Sequence, residues 1–299
     1  MKSCVLLVCD AGYVGHAIAL VRQIRRTEPD GEFDIVLASP EANSLQMPDD
    51  GPILLPIQVD AFITALPMNS RLKHYTYWRL PAIEKACQIY DRVLYLDIDI
   101  YCAAPGIGAL MSIDMQGKTL AAVLDVQQQY RPRRIREFAG MTPETAPYFN
   151  AGVLLIDANR WRDEDISRKI EGLCNTDADR LYCHDQSLLN LCFFRNWLEL
   201  SPVWNWQFSK KNALISMQAG PRLIHYEGSQ KIWDQDADRL AYSHWLSFDP
   251  DRALQIRERN WDQRAAINRQ FFVSGLYYRR KTISFLRRFP HDMATFSHI

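Results

Sequence analysis

The chain has 299 residues, of which 47% are hydrophobic and 23% are charged, values that are ordinary for a globular protein. Its 35 basic side chains cancel its 35 acidic ones, which excludes the global positive charge of many nucleic-acid-binding proteins. No apolar run reaches the roughly 18–20 residues that a membrane-crossing helix needs.

The first half of the chain alternates strand-like and helix-like patterns. Short apolar runs indicate buried strands, and apolar residues spaced by three and four indicate helices. In chain order the predictions are a strand at 5–9, a helix at 14–24, strands at 33–38 and 53–57, a helix at 76–89 and a strand at 92–96. Pro56 interrupts the third strand and predicts a sheet edge, whereas Pro81 is tolerable only in the first turn of its helix.

This alternation predicts parallel strands in the first half, with helices on both faces. Further strands are predicted at 121–124 and 152–156 in the less regular second half. The predicted fold class is therefore α/β, with a Rossmann-like mixed sheet and helices on both faces. Ligands of such sheets bind outside the carboxyl ends of the strands, which directs attention to Asp10 and Asp97.

The seven cysteines are scattered along the chain, and no pair has C-x-x-C spacing. This pattern suggests neither a zinc site nor a disulfide framework. We expect core thiols in a protein of the reducing cytosol.

The central motif is Asp97-Ile98-Asp99, in which two carboxylates separated by one residue can share a hard divalent cation. Five other Asp-x-Asp triplets occur, at 163/165, 177/179, 234/236, 236/238 and 249/251, and they lie in polar stretches. Only the first triplet follows a buried strand that would fix it at the carboxyl edge of a sheet. We therefore interpret the others as solvated loop charges.

Three further segments carry polar groups next to apolar runs, and each has a simple structural alternative. Asn150, Ala151 and Gly152 open a predicted strand, either as a close backbone approach to a ligand or as a tight turn. Asp185 and Gln186 open an apolar helix, where Asp185 could instead be an N-cap. The segment 223–233 contains His225, Gly228 and Lys231, a possible metal ligand with a phosphate-binding group, although a lone histidine is more often a satisfied core residue.

Taken together and in this order, these segments resemble glycosyltransferase family 8. That family comprises retaining enzymes of the GT-A fold, including bacterial lipopolysaccharide galactosyl- and glucosyltransferases and glycogenin. The matching segments are 93–99, 148–157 with Trp161, Asp185-Gln186 with Leu189-Asn190, and 225–233, within a similarity that spans roughly residues 3 to 235.

The resemblance implies a role for each matching residue. Asp97, Asp99 and His225 would hold a metal, manganese by preference, with magnesium still open. Asp10 and Tyr13 would hold the uracil of a UDP-hexose donor. The other donor-binding residues implied are Arg79, Ile98, Asn150, Ala151, Gly228 and Lys231, and the implied catalytic residues at the sugar are Asp185, Gln186 and Asp125.

The resemblance also implies that a hexose, glucose or galactose, is transferred to a glycan or lipid-linked glycan, but it does not identify the acceptor. A nucleophilic role for Asp185 or Gln186 and a front-side attack by the acceptor both stay open, with glutamine being a poor nucleophile. The alternative is a non-catalytic nucleotide-sugar-binding or scaffold protein, and the complete metal-ligand set counts against it. A nucleotidyltransferase would want a Gly-rich phosphate loop after the first strand, where this chain has only Gly12 and Gly15.

The C-terminal segment differs in composition from the rest. Residues 264–290 carry seven Arg or Lys, no acidic residue and many aromatic residues. We expect a catalytic domain at 1–263 and a basic aromatic extension at 264–299, and no nucleic-acid partner. The extension could lie on an anionic membrane surface, which would place a cytoplasmic protein on the cytoplasmic face of the inner membrane, or it could be a terminal helix docked on the core.

Overall fold

The computed structural model describes residues 1–64, 66, 74–125, 128, 147–176, 181, 183–208, 220–227 and 231. By their internal contacts the residues fall into two units. The first comprises Met1–Ile98 and Pro105–Leu200, and the second comprises Asp99–Ala104 and Ser201–Ile299. The boundary expected at residue 263 lies outside the described residues and stays a prediction.

The first unit is built on a seven-stranded sheet in the order β3-β2-β1-β4-β7-β6-β8. Its strands are β1 (Ser3–Val8), β2 (Asp34–Ser39), β3 (Ile53–Pro56), β4 (Arg92–Leu96), β6 (Leu120–Leu124), β7 (Phe149–Asp157) and β8 (Leu198–Glu199). β1 pairs in parallel with β2 and β4, and β2 pairs in parallel with β3. The parallel first half is thus confirmed, and β3 lies at the sheet edge that Pro56 predicted.

One strand of this sheet runs in the opposite direction. β7 pairs antiparallel with both β4 and β6, so its first residues lie beside the carboxyl ends of those two strands. The pairing with β6 shifts register between Ala122 and Val123, opposite the start of β7. The strand predicted at 152–156 therefore begins earlier, and Asn150 belongs to an irregular strand and not to a separate tight turn.

The helices of this unit follow the apolar spacing of the sequence. They are α1 (Val14–Thr27), α2 (Ala61–Thr64), α3 (Arg79–Cys87), α4 (Ile107–Met111), α5 (Ala158–Asp163), α6 (Ile166–Thr176) and α7 (His184–Cys192). In α1, Ala17, Leu20, Val21 and Ile24 are buried at spacings of three, one and three, which is one face of a helix. A 3₁₀ turn at His74–Trp78 leads into α3, so the predicted helix 76–89 begins later as an α-helix, with Pro81 in its first turn.

The core lies along the central strands and the helices packed on them. Every residue of β4 after Arg92 is buried, as are most of those in β1. Trp161 of α5 is fully buried, packs on Phe193 at a ring-centroid distance of 5.9 Å and donates its indole N–H to Glu84 of α3. All seven cysteines are free thiols and five of them are buried, in agreement with the expected core role.

The second unit contains a smaller sheet of three strands in the order β5-β10-β9. β5 (Ile100–Cys102) pairs antiparallel with β10 (Leu223–His225), and β10 pairs in parallel with β9 (Trp206–Gln207). A 3₁₀ turn at Pro202–Trp204 precedes β9. None of the helices in the described part of the chain combines the length and apolar character that a bilayer crossing requires.

Candidate active site

Arg79 connects two carboxylates at the carboxyl edge of the large sheet. Asp97 directly follows β4, and its Oδ1 lies 3.0 Å from Arg79 Nη2. Asp185, in the first turn of α7, has its Oδ2 2.7 Å from Arg79 Nε. Arg79 and Asp185 are almost fully buried, so this ion-paired group is screened little by solvent.

Two further contacts fix Arg79 in place. Its Nη1 donates a hydrogen bond of 2.6 Å to the carbonyl oxygen of Ala151 in β7. Its guanidinium carbon lies 4.8 Å from the centroid of the Tyr95 ring, and the Tyr95 hydroxyl donates a 2.6 Å hydrogen bond to Asp97 Oδ1. Tyr95 was not singled out from the sequence. Its position two residues before Asp97 on a strand, which places both side chains on one face, could have indicated it.

Gln186 extends this group to the end of β6. Its side-chain oxygen accepts a 3.0 Å hydrogen bond from the Ala151 amide, and its side-chain nitrogen donates one of 2.9 Å to Asp125 Oδ2. Asn150 donates a longer bond of 3.4 Å to the same Asp125 oxygen and accepts one of 2.9 Å from the Gly152 amide. The predicted residues Arg79, Asp97, Asp125, Asn150, Ala151, Asp185 and Gln186 are therefore brought together. We call these seven residues the polar network.

Several buried bonds attach the start of α7 to its surroundings. The side chain of Asn190 accepts from the Phe149 amide and donates to the Phe149 carbonyl, both at 2.8–2.9 Å. The Tyr77 hydroxyl lies 3.1 Å from His184 Nδ1. His184 has a backbone φ of +53°, an uncommon conformation for a residue other than glycine. α7 begins at His184, with Cys183 in the N-cap position, so the alternative that made Asp185 an N-cap is wrong.

The electrostatics of Asp185 follow from its environment. The pKa of Asp185 is raised from 3.8 to about 6, because burial outweighs the attraction of Arg79 and the charge of Asp97 acts in the same direction as burial. The contact with Arg79 Nε lacks hydrogen-bond geometry, and Asp185 Oδ2 accepts no hydrogen bond from the described residues. A buried carboxyl group holds its proton more tightly when one of its oxygens accepts no hydrogen bond, because the charged form is then less stabilised.

Asp10 follows β1 at the same sheet edge. Its Oδ1 is buried and accepts no hydrogen bond within the described part of the chain. A Cβ on Gly12 would lie 3.2 Å from that oxygen, so the backbone passes close to it. Tyr13 is half-buried, and its ring centroid lies 6.3 Å from that of Tyr75. A buried, unsatisfied carboxylate oxygen beside an accessible ring is suited to a ligand that offers an N–H and a flat face.

The second unit holds Asp99, His225 and Lys231. His225, at the end of β10, has its Nε2 3.3 Å from Asp99 Oδ1, and Lys231 Nζ pairs with Asp99 Oδ2. Although burial by itself raises the pKa of Asp99, Lys231 and His225 hold it well below its ordinary value. Ile98 lies between the two aspartates of the triplet, belongs to the first unit and is half-buried. Gly228 lies outside the described residues.

Both the sequence and the fold are similar to those of known proteins. Residues 4–237 match the sequence model of the family described as glycosyl transferase family 8. The chain belongs to this family. Because the members of this family are glycosyltransferases, the chain is an enzyme of that class, and its fold is GT-A.

Individual relatives agree with this assignment. The chain is similar to lipopolysaccharide 1,3-galactosyltransferase of Salmonella typhimurium, at 27% identity over 74% of this chain and 72% of that protein. It is also similar to lipopolysaccharide 1,2-glucosyltransferase of Escherichia coli, at 26% identity over 83% of this chain and 76% of that protein. Among solved structures, it resembles galactosyltransferase LgtC in complex with donor and acceptor sugar analogs, with a TM-score of 0.69 and 22% identity over 83% of this chain and 95% of that one.

Proposed function

We propose that this family 8 glycosyltransferase transfers a hexose, glucose or galactose, from a UDP-sugar to a glycan or lipopolysaccharide-type acceptor, with retention of configuration and with a divalent cation. The observation that carries the proposal is the polar network, in which two carboxylates pair with Arg79 and a third, that of Asp125, accepts hydrogen bonds from two side-chain amides. Buried ionised groups cost free energy even when they are paired, so a cluster of them at the carboxyl edge of a sheet indicates a functional site. The names of the two lipopolysaccharide relatives support the sugar and acceptor classes.

The ligands that we propose for the cation are Asp97, Asp99 and His225. Asp99 and His225 face each other at 3.3 Å in the second unit, and Lys231 already brings a positive charge to Asp99. Asp97 is two residues away in the chain, at the end of β4. Two carboxylates and an imidazole suit Mn²⁺ and leave Mg²⁺ possible as a substitute. The cation, when bound, neutralises negative charge on the leaving diphosphate.

The donor would be held by groups at the carboxyl edge of the large sheet and by Lys231. The buried Asp10 oxygen, which accepts no hydrogen bond from the described residues, would accept one from the uracil N–H. The ring of Tyr13 would stack on the base. Arg79, Asn150 and Ala151 would face the sugar and its phosphate. Lys231 would bind the diphosphate. Ile98 and Gly228 are the other two residues that we propose for donor binding.

The contacts of Gln186 favour front-side attack over a glycosyl-enzyme intermediate. Both ends of its amide are already engaged, with the Ala151 amide and with Asp125, and an amide is in any case a weak nucleophile. Asp185 is buried and paired with Arg79. We propose that Asp125, Asp185 and Gln186 hold the sugar while negative charge develops on the diphosphate, and that Lys231 stabilises that charge.

The acceptor and the site of action complete the proposal. A lipid-linked glycan is made at a membrane, and the basic aromatic composition of residues 264–290 suits an anionic surface. We propose that the enzyme works in the cytoplasm, peripherally on the cytoplasmic face of the inner membrane. These residues lie outside the described part of the chain, so the proposal rests on their composition.

The proposal is tested by nucleotide release from a panel of nucleotide sugars, with and without Mn²⁺. We expect slow Mn²⁺-dependent hydrolysis of one UDP-hexose to the retained anomer, measured by NMR of the released sugar. Asp99→Asn should abolish it, and the matched control Asp163→Asn, at an exposed position in α5, should not. Absence of turnover together with absence of donor binding by calorimetry would favour a non-catalytic nucleotide-sugar-binding protein.

A further inference from the structure

Asn205 lies beside His225 in the second unit. It follows the 3₁₀ turn Pro202–Trp204 and directly precedes β9, which pairs with β10 so that Gln207 is opposite His225. Its side chain is 1% exposed, and its Oδ1 lies 3.1 Å from His225 Nδ1. The backbone N–H of Asn205 donates a hydrogen bond to the Pro202 carbonyl, which anchors the residue to the turn.

The chemistry of the two side chains decides the direction of this bond. A carbonyl oxygen of an amide only accepts, so the nitrogen that faces it must carry the proton. Nδ1 of His225 is then the donor. Nε2 lies 3.3 Å from Asp99 Oδ1, and an ionised carboxylate also only accepts, so a doubly protonated ring satisfies both oxygens. A neutral ring that keeps its bond to Asn205 has its lone pair on Nε2.

We propose that Asn205 is a positioning residue that fixes the Nδ1–H tautomer and the ring orientation of His225, and thereby presents Nε2 to a divalent cation. The inference rests on the proposed role of His225 as a metal ligand. The opposite tautomer would place a proton on Nε2, which could donate to Asp99 but could not bind a metal. Mutation of a residue that hydrogen-bonds the second nitrogen of a metal-binding histidine typically lowers metal affinity by about 10- to 100-fold.

The first measurement uses the unaltered protein, free of metal. Long-range ¹H–¹⁵N NMR spectra distinguish the two tautomers of a neutral imidazole, and the His225 signals are assigned by their loss in His225→Gln. We expect the Nδ1–H form at a pH where the ring is neutral. The Nε2–H form would overturn the inference without any variant of Asn205.

The second measurement is Mn²⁺ binding without donor, followed by the EPR signal of free Mn²⁺. Asn205→Leu keeps the approximate volume but removes the acceptor, and it should weaken binding by about 10- to 100-fold. Asn205→Asp keeps an acceptor and should retain binding close to that of the unaltered protein. Gln207→Leu is the control, because it removes a buried amide from β9 without touching the bond to Nδ1.

The outcomes separate the two proposals. If His225→Gln binds Mn²⁺ as well as the unaltered protein, the metal assignment itself is wrong and the role of Asn205 with it. If His225→Gln loses binding but Asn205→Leu does not, only the inference about Asn205 is wrong. An equal loss in Gln207→Leu would show a general disturbance of the small sheet and would also overturn it.

Discussion

Replacing Asp185 with asparagine should remove a pH dependence of stability that originates in one buried carboxyl group. Burial raises the pKa of Asp185 from 3.8 to about 6, a difference equivalent to about 3 kcal/mol. Because the folded state binds this proton more tightly than the unfolded chain, the contribution is fully present below pH 3.8 and is lost as the pH rises through about 6. About 2 kcal/mol of the loss should fall between pH 4.5 and pH 7.5.

The other buried carboxylate with a shifted pKa does not interfere in this range. Lys231 and His225 lower the pKa of Asp99 despite its burial, so its contribution is present above the ordinary pKa of 3.8 and is lost only as the pH falls below that value. Arg79 also keeps two partners in the variant, Asp97 at 3.0 Å and the Ala151 carbonyl at 2.6 Å. The slope between pH 4.5 and pH 7.5 should therefore report Asp185.

The assay is urea denaturation followed by tryptophan fluorescence at a series of pH values, with a chelator present throughout. The free energy of unfolding of the unaltered protein, relative to that of Asp185→Asn, should fall by about 2 kcal/mol as the pH rises across the range. The control Asp163→Asn, at an exposed site, should stay parallel to the unaltered protein. Parallel curves for Asp185→Asn, or a difference of the opposite sign, would refute the reasoning.

Three other changes have defined outcomes. Lys231→Met removes the ammonium group that pairs with Asp99, so Mn²⁺ should bind roughly fivefold more tightly in the absence of donor. UDP-sugar should bind more weakly, because the variant lacks the proposed contact with the diphosphate. EPR measures the first effect and calorimetry the second, and weaker Mn²⁺ binding would contradict the argument. Gly106→Ala places a side chain on a residue with a φ of +134°, directly before α4, where the amides of Gly106 and Ile107 donate to Glu28. Thermal melts should show a free energy of unfolding that is lower by about 1–3 kcal/mol. Nucleotide release per folded molecule should not change. Deletion of residues 264–299 should abolish sedimentation with anionic liposomes but not donor hydrolysis, and unchanged sedimentation would refute membrane contact.

Local sequence patterns predicted the elements that carry the site because burial and spacing are local properties. Asp97 stood out as the residue that ends an apolar strand, and the structure places it there. The partnership of Arg79 with Asp185 could not be derived in this way, since the two are far apart in the chain and meet only through the fold. The resemblance to a family implied only that both residues lie near the donor sugar.

The hydrophobic pattern of the sequence predicted neither the direction of each strand nor the contacts that support the site residues. An apolar run such as that of β7 reads the same in either direction, so its antiparallel pairing was not evident before the register was known. Asn205 sits in a short segment with little periodicity, between two tryptophans, and nothing in that segment indicates a bond to His225. Tyr95 carried a usable signal in its spacing from Asp97.

The reversed direction of β7 has a consequence for how such enzymes can diversify. β6 and β7 are antiparallel neighbours, and the amide of Asp125 bonds to the carbonyl of Tyr148, so the connection between these strands leaves and re-enters at one point. Asp125 at that point accepts hydrogen bonds from the side chains of Asn150 and Gln186. A segment whose two ends are already held together can be lengthened, shortened or replaced at little cost to the sheet. Selection can thus change the length and the sequence of this connection while the polar network keeps its contacts.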